Sequence, residues 1–172
     1  MSKSLPLMCA LALLLSLTAC QAPGPDDSTP TPSPSPTPVN GVDALYGDDA
    51  LFLSEFIERF PNRAPADLLA SRTLFESAGT GPATYDLPTP QGTDPLLVLV
   101  VFCEADTSYE VAIMRDDKVV DHTWGDSCPQ TGLRYYTTAP ISGPLSNLQT
   151  RVTVDPRVSF RVSILQSVQN RP

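Results

Sequence analysis

Residues 148–164 read LQTRVTVDPRVSFRVSI, and two stretches of strict alternation within them decide the fold. In the first, Leu148, Thr150, Val152 and Val154 fall on one face while Gln149, Arg151 and Thr153 fall on the other. In the second, Val158, Phe160, Val162 and Ile164 alternate with Ser159, Arg161 and Ser163. Successive side chains of a strand point to opposite faces, so each stretch predicts a strand with one buried and one wet face. Asp155-Pro156-Arg157 lies between them, and the two are expected to pair as a β-hairpin.

Upstream, residues 96–102 (LLVLVVF) form an unbroken apolar run of strand length, the pattern of a strand covered on both faces. Residues 109–114 (YEVAIM) alternate less cleanly, and 83–87, 118–124 and 134–138 supply three more short segments between turn signals. About seven strands of this kind predict an antiparallel β-sandwich. A helical segment precedes it. In DDALFLSEFIERF, residues 48–60, Leu53, Phe56, Ile57 and Phe60 recur at helical spacing, Asp48 and Asp49 favour the start, and Pro61 ends it. A second helical stretch is expected over 66–75, before SAGTGP at 77–82 breaks the pattern. The reading is therefore a helical preface over 42–78 and a sandwich over 79–172. From residue 75 onward the chain resembles small jelly-roll and immunoglobulin-like domains of secreted bacterial proteins, a resemblance that implies architecture and no activity.

Nothing before residue 42 has the pattern of a packed core. Residues 21–41 (QAPGPDDSTPTPSPSPTPVNG) hold seven prolines and no apolar face, which favours an extended polyproline tether. At about 3.1 Å per residue, twenty such residues reach roughly 60 Å. Residues 1–20 (MSKSLPLMCALALLLSLTAC) begin with Lys3 and continue through an apolar run from Leu5 to Leu17. The run is shorter than the roughly 20 apolar residues of a membrane-spanning helix and has the layout of a secretory signal. Leu17-Thr18-Ala19-Cys20 resembles the lipobox of bacterial lipoproteins. The resemblance implies cleavage after residue 19, diacylglycerol on the Cys20 thiol, and attachment to the extracytoplasmic side of a membrane.

Four cysteines are present. With Cys9 in the leader and Cys20 lipidated, Cys103 and Cys128 remain, and outside the cytoplasm two such thiols are expected to form a disulfide. No C-x-x-C redox spacing occurs.

The chain carries a formal net charge of −8; loss of the leader removes Lys3 and leaves ten basic against nineteen acidic residues. Such a balance repels phosphate backbones, so nucleic acid is not an expected partner. His122 is the single histidine, no G-x-S-x-G elbow accompanies it, and one histidine does not make a transition-metal site. Asp116, Asp117, Asp121 and Asp126 lie close together without the EF-hand spacing. No catalytic residue, metal or cofactor is assigned. Trp124, Tyr135 and Tyr136 have the chemistry to stack on sugar rings, although Trp124 would equally fill a core. Adjacent strand residues face opposite ways, so Tyr135 and Tyr136 do not both join one platform.

The expectation is a membrane-anchored, non-catalytic binding or structural domain. Its partner would be a cell-wall polymer, a carbohydrate or an envelope protein, met through a loop holding Asp121, His122, Trp124 and Asp126. The alternative is a small extracytoplasmic hydrolase or metal-dependent enzyme built around His122.

Overall fold

A computed structural model of the chain describes residues 41–47 and 49–168. The leader, Cys20 and nearly all of the tether lie outside the described residues. Within them, eight strands follow a short helical region: β1 Ser71–Thr80, β2 Ala83–Asp86, β3 Leu97–Cys103, β4 Tyr109–Arg115, β5 Lys118–Gly125, β6 Tyr136–Thr137, β7 Leu148–Thr153 and β8 Ser159–Ser167. They form two four-stranded antiparallel sheets, A in the order β1-β8-β3-β6 and B in the order β2-β7-β4-β5. The pairs β4·β5, β3·β6, β2·β7 and β1·β8 nest as one long hairpin, and the β4·β7 and β3·β8 pairings roll it into two sheets. This is the strand order of an eight-stranded jelly roll.

The sandwich predicted from the alternation is present, but the hairpin predicted at its end is not. β7 pairs with β2 and β4 in sheet B, whereas β8 pairs with β1 and β3 in sheet A. Asp155-Pro156-Arg157 carries the chain across the core instead of back along its edge. An Asx turn holds that crossing: Arg157 N–H donates to Asp155 Oδ1 at 3.0 Å, and Val158 N–H to the Asp155 carbonyl at 3.0 Å. Alternation states which face of a strand is apolar and leaves its neighbour undetermined. Here Leu148, Val152 and Val154 face Phe160, Val162 and Ile164 across the interior, with Leu97, Leu99, Val101, Val111 and Ile113 filling the layer between the sheets.

β8 has no wet face either. Its residues from Val162 to Gln166 are all buried. The cover is the helical region: a 3-10 turn at Gly41–Leu45, helix α1 at Leu53–Arg59, a 3-10 turn at Pro61–Arg63 and a single helical turn, α2, at Ala66–Leu69. Leu45, Leu53, Phe56 and Leu68 pack on Val98, Val100, Phe102 and Leu165, the outer side of sheet A. This explains the apolar run of β3, buried at every position because one set of side chains enters the sandwich core and the other meets the helices. The helix expected over 48–60 is the shorter α1, which starts after Phe52 and not at Asp48-Asp49, with Leu53 and Phe56 buried and Ile57 and Phe60 packed beside them.

The helical stretch expected over 66–75 stops after one turn, and Ser71–Thr80 is strand β1. The proposed boundary at residues 78/79 therefore falls inside a strand of sheet A. A bulge between Thr73 and Phe75 breaks the period-2 pattern that would have revealed β1.

Cys103 and Cys128 are disulfide-bonded, with a Cα–Cα distance of 5.9 Å. The bond ties the end of β3 to the loop after β5, where Cys128 N–H also donates to the Thr107 carbonyl at 2.7 Å.

Candidate functional site

The central strands of sheet A, β3 and β8, are covered on both sides, whereas the outer face of sheet B, with β5 largely exposed, is open to solvent. Register fixes its composition, because residues paired across antiparallel strands share a face. One row runs Trp124–Glu110–Thr153, the next His122–Ala112–Arg151–Thr84, and a third Val119–Met114–Gln149–Asp86. Trp124, with 66% of its surface exposed, stands at the end of the first row on the edge strand β5, which also holds Val119 and Val120 exposed. The alternative that Trp124 fills the core is thereby excluded.

The four residues expected on a binding loop divide by strand geometry. Asp121, His122 and Trp124 lie on β5 and Asp126 just beyond it. His122 and Trp124 share the outer face. Asp121 pairs in register with Ile113, a core residue, and so turns to the other side. There its carboxylate accepts from His122 N–H at 2.8 Å, the Tyr136 hydroxyl at 3.1 Å and Ala139 N–H at 2.8 Å. Asp121 is thus a clasp between the β5 edge of sheet B and the β6 edge of sheet A. Burial, together with the hydrogen bond and charge of Asp121, raises the Tyr136 phenol above its ordinary value. Asp116 and Asp117 have φ of 48° and 62° and form the two-residue turn joining β4 to β5, a primed turn that short acidic side chains tolerate.

The three aromatic residues form no common platform. Tyr135 and Tyr136, expected to face opposite ways, both line one recess of about 210 Å³ with Leu99, Val101, Thr123 and Arg134, because Tyr135 precedes the two-residue strand β6; Trp124 is not among its walls. Trp124 belongs instead to a groove of about 370 Å³ at one end of sheet B, with Thr107, Ser108, Tyr109, Glu110, Asp126, Thr153 and Asp155. Apart from Trp124 and Asp126, these positions escape a reading by sequence spacing, since three separate segments contribute them. Register would have found Glu110 and Thr153, which lie beside Trp124 only once β5, β4 and β7 are placed in that order.

Packing fixes the floor of the groove. Tyr109 lies across Gly125, its partner on β5; a Cβ at Gly125 would fall 2.7 Å from Tyr109 Cε1, so any other residue there displaces the ring. Arg151 Nη2 lies 3.7 Å from Glu110 Oε1, and Arg157 Nε 3.5 Å from Asp155 Oδ1. The Arg157 backbone N–H, more than the nearby guanidinium, holds the Asp155 carboxyl below its usual range. Two of the three groove carboxylates therefore already have a cationic neighbour.

Comparison with protein-family models, curated proteins and solved structures yields no significant match.

Proposed function

We propose that this chain is a lipid-anchored cell-envelope protein that displays a non-catalytic jelly-roll domain for binding. In this reading lipid on Cys20 holds it to the extracytoplasmic side of a membrane, residues 20–41 are the tether, and the outer face of sheet B is the displayed surface. The lipobox-like Leu17-Thr18-Ala19-Cys20 and the proline-rich segment support the anchoring half. The observation that carries the binding half is Trp124. A large indole left 66% exposed is apolar surface kept in water, and it shares one edge strand with exposed Val119 and Val120.

Catalysis around His122 draws no support from the geometry. His122 stands on an open strand face opposite Ala112, and the carboxylate nearest in sequence, Asp121, is turned to the other side and engaged there.

The test is Trp124→Ala. Its unfolding free energy from denaturant titration should match the parent within about 0.5 kcal/mol, as expected for an exposed position. Its retention on sedimented cell-envelope material should be lost. Equal retention of the two proteins would remove the binding face from this surface.

A further inference from the structure

We propose that the Trp124 groove binds a neutral glycan strand, an inference that rests on the binding reading above and names its ligand class. The walls combine one flat apolar surface, the indole, with a set of oxygens: the carboxylates of Glu110, Asp126 and Asp155 and the hydroxyls of Thr107, Ser108 and Thr153. A ligand that fits has an apolar face to lie on the ring and hydroxyl donors around its rim. A pyranose ring has both, because its C–H bonds gather on one face and its hydroxyls project from the edge.

Other ligand classes fit less well. Phosphate-bearing polymers meet carboxylates and are repelled. Peptides dock by anchoring several apolar side chains, by adding a strand or by presenting charge, and this groove supplies one exposed indole as its apolar anchor. A polycation would need uncompensated acid, yet Arg151 stands beside Glu110 and Arg157 beside Asp155. What remains is acceptor capacity for neutral O–H groups. Parts of the site are already placed: the Tyr109 ring lies over Gly125, the Thr107 carbonyl accepts from Cys128 N–H, and Asp155 N–H donates to Thr107 Oγ1 at 3.4 Å. Side chains already ordered lose little entropy on binding.

Trp124 is the single tryptophan of the chain, so its emission reports on the groove alone. The purified full chain is titrated with cellohexaose, chitohexaose and maltohexaose, following emission wavelength and acrylamide quenching. At least one hexaose should shift the emission to the blue and shield the ring. Trp124→Phe should retain weakened binding by calorimetry, whereas Trp124→Ala and Glu110→Gln should each weaken it by about tenfold or more. The affinity should change less than about threefold between roughly 50 and 500 mM salt, because neutral hydroxyls are not screened. If no hexaose moves the emission while Trp124-dependent retention on envelope material persists, the glycan is wrong and the binding face stands. If retention also proves independent of Trp124, both fall. Saturable binding of polylysine with steep salt dependence, in place of any hexaose, would likewise overturn the glycan assignment.

Discussion

Arg161 sits on β8 between Phe160 and Val162, where alternation points it away from the sandwich core and, on sheet A, into the underside of the helical layer. Its guanidinium donates from Nη2 to the Leu45 carbonyl at 2.8 Å and from Nη1 to the Ala50 carbonyl at 3.4 Å. Its Nε is buried without a partner among the described residues, and burial lowers its pKa, against the opposing effects of Glu104 and Tyr46. Arg161→Ala, read from alternation alone as a neutral surface change, should instead cost about 1–3 kcal/mol, since two carbonyls beneath the layer lose a charged donor. Phe160→Ala, on the core side and almost fully buried, should cost about 3–5 kcal/mol. Denaturant titration separates the two, and an Arg161→Ala loss below about 0.5 kcal/mol would show that these bonds do not hold the layer. The inward residues of β7 and β8 were legible because a strand has period two. The environment of the outward ones was not, because no local pattern says whether a second layer covers a sheet.

Elements with one clear period were legible: α1 through Leu53 and Phe56, and β3 through its unbroken apolar run. β1 was not, because its bulge and its Ser77-Ala78-Gly79 segment imitate a break. The partner of β8 was not either, because the distant β1 and β3 compete with the adjacent β7 on equal terms as far as hydrophobicity goes. One contact between elements lends itself to a pH experiment. Tyr46, at the end of the first 3-10 turn, packs edge-on against Phe102 at 5.6 Å, and its hydroxyl donates to the Gly132 carbonyl in the disulfide-linked loop. Burial pushes its phenol up to about 12, partly offset by the charges of Arg134 and Arg161. The folded chain thus holds this proton more tightly than the unfolded one, whose phenol titrates near the ordinary 10.0. The resulting stability is complete below about pH 10 and is lost as the pH rises toward 12. Tyr46→Phe removes that share, so its unfolding midpoint should fall less steeply than the parent's across this window. Parallel curves would mean that the phenol is equally accessible in both states.

For the whole molecule, the anchoring proposal predicts that Cys20→Ala moves the protein from the membrane to the soluble fraction. Two acyl chains at about 0.8 kcal/mol per buried methylene would supply the attachment, because a chain of net charge −8 is repelled by anionic head groups. Membrane-bound Cys20→Ala protein of mature size, carrying no acyl label, would sink the assignment. The candidate site was half legible at this scale. Trp124 and Asp126 drew attention by residue type, while Glu110, Thr153 and Asp155 joined them only through the roll of the strands. That roll also governs how the chain reaches its native state. β8, the last strand among the described residues, lies between β1 and β3 at the centre of sheet A, so Ser71 waits for Ser167 and Thr80 for Ser159. Separations of roughly eighty to a hundred residues place this fold with slow, topologically complex folders, on the order of milliseconds to seconds. A nascent chain that has emerged only as far as β7 has β3 without its main partner. The helical layer, which precedes the sheet in the chain, then has an incomplete sheet A to close upon, and closure of the core waits for β8 instead of accumulating from finished parts.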